Sequence, residues 1–204
     1  MRVERSGTVT AVTGTSPHGQ GHETTFAQII ADHLGVAFDD VIVRHGDTRG
    51  APQAIGTFGS RSAGLGGNAL AQASVEVREK GRRLAARLLE ASPEDLQLVR
   101  GGFQVKGAPE KIAGWDRIGE FAHRGMGLPS EETPGLEATV FFRQDHPAWS
   151  FGAGIAVVRV DGDTGHVRLQ RFVAVDDCGN AINPLLIEGQ IVGGFAQGLG
   201  QALL

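Results

Sequence analysis

The chain has 204 residues, a formal net charge of −4, one cysteine and 31 glycines. A mildly acidic chain with interspersed charges offers no basic face for nucleic acid or anionic lipid, and no apolar run reaches the ~20 residues that span a bilayer. Its N-terminus, MRVERSGTVT, lacks a signal-peptide core, and a lone Cys178 forms neither an internal disulfide nor a thiolate metal site by itself. These absences lead to the expectation of a cytoplasmic protein forming one folded unit.

Residues 7–13, GTVTAVT, read as a strand. Residues 24–34 read as a helix, with Phe26, Ile29, Ile30, His33 and Leu34 along one side and Gly35 as its stop. The stretch GTSPHGQGHETTF is therefore a strand-to-helix loop. Residues 41–45, VIVRH, are a second strand, and a long Gly/Pro-containing loop runs from there to about Arg61. The spacing of Leu70, Ser74, Val77, Gly81, Leu84, Ala85 and Leu88 predicts a helix over 62–90.

Pro93 suits the first position of a short turn in SPEDL, and LQLVRGGFQVKG reads as a hairpin turning at Gly101-Gly102. Residues 125–135, GMGLPSEETPG, are expected to be a flexible surface loop. Two strands, 151–160 and 165–175, are joined by a turn at DGDTG, which lacks the sixth-position glycine and twelfth-position glutamate of a calcium loop. Asn183 and Pro184 suit the cap and first residue of a last helix carrying Val192, Phe195, Ala196, Leu199 and Leu203 at helical spacing. The fold class is α+β, with mixed or antiparallel strands and hairpins packed against three main helices.

The first loop has three readings. HETTF begins like a zinc-protease helix, but Phe26 stands where the second histidine would lie, so His18 and His22 remain loop histidines and no metal ligand is assigned. No Walker pair is present, and Thr24 replaces the third glycine of a dinucleotide fingerprint. What remains is a glycine loop feeding a helix N-terminus, where free amides and the helix dipole favour an anion.

Similar loops precede two other helices. TFGSRSAGLGG offers Ser60 and Ser62 hydroxyls and the Arg61 fork, and DDCGNAINP precedes the last helix. Convergence on one large anionic ligand and ordinary capping at unrelated places both fit these residues. Cys178 has no assigned histidine partner and reads as a small buried residue rather than a nucleophile.

The last helix contains Gly189, Gly193, Gly194, Gly198 and Gly200, each costing about 1 kcal/mol relative to alanine. Gly189, Gly193, Ala196 and Gly200 share a face open to another backbone or a flat ligand, beside Gln190, Gln197 and Gln201. Close helix packing with the glutamines in water explains the same pattern.

Taken together, GTSPHGQGHETTFAQIIADHLG, GTFGSRSAGLGGNA, FVAVDDCGNAINP and EGQIVGGFAQGLGQAL resemble the molybdopterin-binding large subunits of the xanthine dehydrogenase, aldehyde oxidase and aerobic carbon monoxide dehydrogenase superfamily. The resemblance covers nearly the whole chain. It implies part of a second molybdopterin-binding domain that holds molybdopterin, often as the cytosine dinucleotide. Cofactor contacts then fall on Gly19, Gln20, Gly21 and His22, on Gly59, Ser60, Arg61 and Ser62, and on Asp177, Asn183 and Gln197. Gln197 is placed near the metal.

The implied chemistry is oxidation of an aldehyde, N-heterocycle or CO-like small molecule with water-derived oxygen, the electrons passing to iron–sulfur and flavin (FAD) centres on partner subunits or domains. The single cysteine excludes an iron–sulfur cluster on this chain. The family's large subunit is several times longer, and its glutamate base has no counterpart here, so the chain is expected to need the remainder of the large subunit and to be inactive alone. A reading from another class is a non-catalytic interaction module whose glycine-rich helix packs on a partner subunit.

Overall fold

The computed structural model describes residues 1–51, 54–146 and 149–204. Its packing divides the chain into two compact units, Met1–Gln144 and Asp145–Leu204, where length and composition had suggested one.

In the first unit, β1 (Arg2–Val3), β2 (Val9–Val12) and β3 (Val41–Arg44) form a sheet in that order, β1/β2 antiparallel and β2/β3 parallel. The parallel pair requires a crossover, supplied by α1 (His22–Leu34). Along β2, Val9 and Ala11 are buried while Thr10 and Val12 are only partly so, the period of two expected of a sheet with one face on the core. On α1, His22, Phe26, Ile30 and Leu34 recur every four residues and face inward. Gly35 ends the helix in the left-handed region (φ 65°), where a Cβ would stand 2.7 Å from the Val99 carbonyl oxygen.

The long helix starts as expected at Ser62, but 63–67 wind as a wider π turn before α2 (Asn68–Leu89). Glycines 64, 66 and 67 occupy that turn, and Gly66 lies against Thr15 and Phe26, where a Cβ would come within 3.0–3.3 Å of both. The strands β4 (Leu96–Val99), β5 (Gly102–Val105) and β6 (Ala108–Gly114) form an antiparallel sheet, whose first hairpin turns at Arg100-Gly101, one residue earlier than expected.

A fourth helix, α3 (Trp115–Arg124), escaped the sequence reading, although Trp115, Ile118, Gly119 and Ala122 form its buried face. Trp115 Nε1 donates to the Leu34 carbonyl at 2.7 Å and its ring meets Phe103 edge-on at 5.5 Å, joining α1, α3 and β5 in one core. Residues 125–135 carry no regular element, but they are clamped. Arg83 pairs with Glu132 at 2.6 Å, Lys80 donates to the Thr133 carbonyl at 2.8 Å, and Gly135 N–H donates to Ala122 at 2.9 Å.

In the second unit, β7 (Phe151–Val160) and β8 (Val167–Asp177) pair antiparallel along their length, and α4 (Pro184–Leu203) follows. The 161–165 turn closes on Asp161, whose Oδ1 accepts from Asp163 N–H, Thr164 N–H and Thr164 Oγ1–H at 2.8–3.1 Å. Phe172 stacks on Phe195 at 4.4 Å, the aromatic contact between the hairpin and α4.

Candidate functional site

The carboxyl ends of β2 and β3 lie side by side because the strands are parallel, and both candidate loops of the first unit leave from that edge. Thr13 N–H donates to the Arg44 carbonyl at 2.9 Å and extends the ladder by one step. Two bonds then join the loops themselves: Ser16 N–H to Thr57 Oγ1 at 2.9 Å and Gly56 N–H to the Gly14 carbonyl at 3.3 Å. Thr57 Oγ1 also shares a hydrogen bond with buried Ser62 Oγ at 2.9 Å. Thus the structure brings 14–22 and 56–62 together.

Each predicted residue now has a place. Gly19 and Gly21 are left-handed (φ 99° and 74°), and the space a Gly19 side chain would take is open. Gln20 Oε1 accepts a hydrogen bond from His18 N–H, folding its side chain over the loop. His22 turns inward: it is 4 % exposed, its ring stacks on Phe26 at 5.0 Å, and its Nδ1 has no hydrogen-bond partner among the described residues. Burial holds its pKa below the ordinary 6.5, with His45 and His18 adding to the shift and Glu23 opposing it.

In the second loop Gly59 and Ser60 are both left-handed (φ 59° and 56°). For serine that conformation costs about 1–2 kcal/mol and marks a position held by its surroundings. Arg61 lies with its guanidinium carbon 4.6 Å from the Phe58 ring centroid, and its buried Nε has no hydrogen-bond partner among the described residues.

A cleft of about 640 Å³ opens beside these loops, lined by Thr13 to Thr15, Arg61, Leu65, Gly66 and 137–142. Its size suits a small-molecule ligand. Among the predicted residues only Arg61 lines it; Gln20, Gly59 and Ser60 lie outside its lining.

The remaining predicted residues lie in the second unit. Asp177 Oδ1 accepts from Gly179 N–H at 2.9 Å, closing a tight turn, and Asn183 Oδ1 caps α4 by accepting from Leu186 N–H at 3.1 Å. Gln197 is exposed on α4. Nothing among the described residues lies within 4 Å of a Cβ built at any of the five α4 glycines. Cys178, expected to be buried, is exposed in the turn after β8.

Sequence reasoning missed Thr57, the residue that joins the loops, and the π turn that sets Gly66 against Thr15. A hydroxyl residue following the Gly56 turn was the available signal. No group of three His, Cys, Asp or Glu is placed to hold a metal among the described residues, and no helix there is long and apolar enough to cross a membrane.

Over residues 1–204 the sequence matches the molybdopterin cofactor-binding domain family. The chain belongs to that family. This molybdopterin cofactor-binding domain is 40 % identical over 207 residues to the carbon monoxide dehydrogenase large chain of Afipia carboxidovorans, covering 100 % of this chain and 25 % of that one. It is 32 % identical over 209 residues to the xanthine dehydrogenase molybdenum-binding subunit of Escherichia coli O157:H7, covering 100 % and 27 %.

Solved structures agree: reconstituted CO dehydrogenase from Oligotropha carboxidovorans superposes with a TM-score of 0.88 at 41 % identity, over 95 % of this chain and 24 % of that one. Quinoline 2-oxidoreductase from Pseudomonas putida 86 gives 0.87 at 37 %, over 98 % and 25 %. The domain therefore spans about a quarter of the length of the curated relatives it matches.

The residues present fit an anionic, hydrogen-bonding group such as molybdopterin. Left-handed Gly19 and Gly59 with open space above them let such a group approach the backbone, and Arg61, which lines the cleft, has a buried Nε with no acceptor among the described residues.

Proposed function

We propose that this domain supplies one wall of the molybdopterin site in the large subunit of a cytoplasmic molybdenum hydroxylase. The observation that carries the reading is the joining of the two glycine loops through Ser16 and Thr57, beside a cleft lined by Arg61, whose buried Nε has no hydrogen-bond partner among the described residues. Gly19 to His22 and Gly59 to Ser62 hold the pterin phosphate region: backbone amides and the Ser60 and Ser62 hydroxyls donate, and the Gln20 amide donates from the rim. Arg61 supplies the charge-assisted bond. In the second unit, Asp177, Asn183 and Gln197, which match the family's motif residues, would contact the cofactor, Gln197 near the metal.

When bound, the molybdenum cofactor, in its cytosine dinucleotide form, supplies the two-electron oxidation of a small aldehyde, N-heterocycle or CO-like molecule. The chain's residues bind and orient that group. Iron–sulfur and flavin subunits, with the rest of the large subunit, complete the enzyme, and this chain alone is inactive. Expressing the complete large subunit with its partners and measuring bound molybdenum and pterin tests the reading; a folded complex without either overturns it.

A second reading has its own observation. Phe151, Ile155, Val175, Leu185 and Val192 of the second unit are all more than half exposed, and the α4 glycines face open space. An interaction module packing on a partner through α4 predicts that substitutions there break assembly and leave cofactor content intact.

A further inference from the structure

Glu23, within the first motif segment, and His45, outside it, are not among the residues assigned to cofactor contact, and neither lines the cleft. Glu23 sits in the first turn of α1, three residues after Gln20. His45 directly follows β3 and begins the chain that leads to the second glycine loop. Their side chains meet across the parallel-strand edge, His45 Nε2 to Glu23 Oε1, at 2.5 Å.

Both ends of this contact are set by the fold. The Thr13 to Arg44 backbone bond fixes the residue before His45, and the α1 hydrogen bonds fix Glu23. Between Thr13 and His22 the chain contains no helix or strand, so the first loop is held at one end by β2 and at the other by the start of α1. The Glu23 carboxyl is held below its ordinary range, first by its own backbone N–H at the helix start and then by His45. His45 is the more enclosed partner, its side chain 23 % exposed against 54 % for Glu23.

We infer that Glu23 and His45 are positioning residues: their contact latches the α1 end of the first glycine loop to the root of the second, and so slows release of the bound molybdopterin without touching it. The inference rests on reading these loops as a molybdopterin site. An exposed pair has limited strength, so the expected effect is modest, about two- to fivefold in release rate.

The test uses the complete large subunit in its assembled, cofactor-loaded form. Release of pterin, read by fluorescence of the oxidised pterin, and of molybdenum, read by elemental mass spectrometry, is followed for wild type, Glu23→Ala, His45→Ala, the double variant and His45→Arg. Each alanine variant is expected to release about two- to fivefold faster. The double variant should be no faster than the faster single, and His45→Arg, which puts a hydrogen-bond donor of fixed charge beside Glu23, should restore slow release. Wild-type release from His45→Ala overturns the latch, as do single effects that multiply in the double, since Glu23 would then act through the helix dipole alone. A wild-type complex that carries no pterin overturns the underlying reading instead, and the inference with it.

Discussion

Ser16 N–H donates to Thr57 Oγ1 at 2.9 Å across 41 residues of sequence, and the same oxygen bonds to Ser62 Oγ at 2.9 Å. One hydroxyl thereby joins the loop before α1 to the loop before α2. Replacing it with a methyl in Thr57→Val leaves Ser16 N–H without this acceptor and the buried Ser62 hydroxyl without this partner. Thr57→Val should lower the unfolding free energy by about 1–2 kcal/mol, whereas Thr57→Ser keeps most of it. Urea denaturation followed by circular dichroism checks this, and equal stability of the two variants would remove Thr57 from its role.

Gly81 and Gly193 should respond oppositely to alanine. At Gly81 a Cβ would stand 2.6 Å from Trp115 Cζ3, and Trp115 is pinned by its bond to Leu34. Overpacking of about 1–3 kcal/mol exceeds the ~1 kcal/mol gain in helix propensity, so Gly81→Ala destabilises. At Gly193 nothing lies within 4 Å among the described residues, so Gly193→Ala should stabilise α4 in the 204-residue chain. Under the second reading, in which the glycine face of α4 packs on a partner, the same change in the complete subunit should reduce assembly. Calorimetry on the chain and co-purification of the subunit read the two arms.

Much of this was legible in the sequence where local chemistry decides structure. Asn183 capping α4, Pro93 opening a turn, Gly35 stopping α1 and the Asp161 turn all follow from backbone preferences that act over a few residues. The helix α3 was missed although Trp115, Ile118, Gly119 and Ala122 recur at helical spacing, because its ten residues make fewer than three turns and Gly119 stands within the stripe. Residues 125–135 read as flexible because nothing in GMGLPSEETPG shows that Arg83 and Lys80, on a distant helix, will hold them. At the candidate site, glycine spacing marked both loops; for Thr57 the local sequence offered only a hydroxyl after Gly56, and its pairing with Ser16, like the inward turn of His22, is a tertiary fact.

Acid should weaken the first unit before its carboxylates titrate. The His22 pKa is lowered by burial, so the unfolded state binds the proton more readily. Its contribution is complete above the ordinary 6.5 and is lost as pH falls through the lower folded value. Glu4, lowered first by its bond to Arg2, and Glu23 act only below their ordinary 4.5. Stability measured between pH 7.5 and 5, within roughly the window set by imidazole titration, should fall for wild type and stay flatter for His22→Phe, which keeps the stack on Phe26. Parallel curves for the two proteins would contradict this assignment.

The central claim is that the joined glycine loops hold molybdopterin, and its most direct measurement is the pterin and molybdenum content of the complete large subunit carrying Gln20→Ala or Arg61→Ala. Losing a charge-assisted donor corresponds to roughly ten- to a hundredfold in affinity. The account predicts a folded, assembled subunit that retains only a small fraction of wild-type cofactor, with Arg61→Ala the more depleted. Wild-type cofactor content in both variants would contradict it.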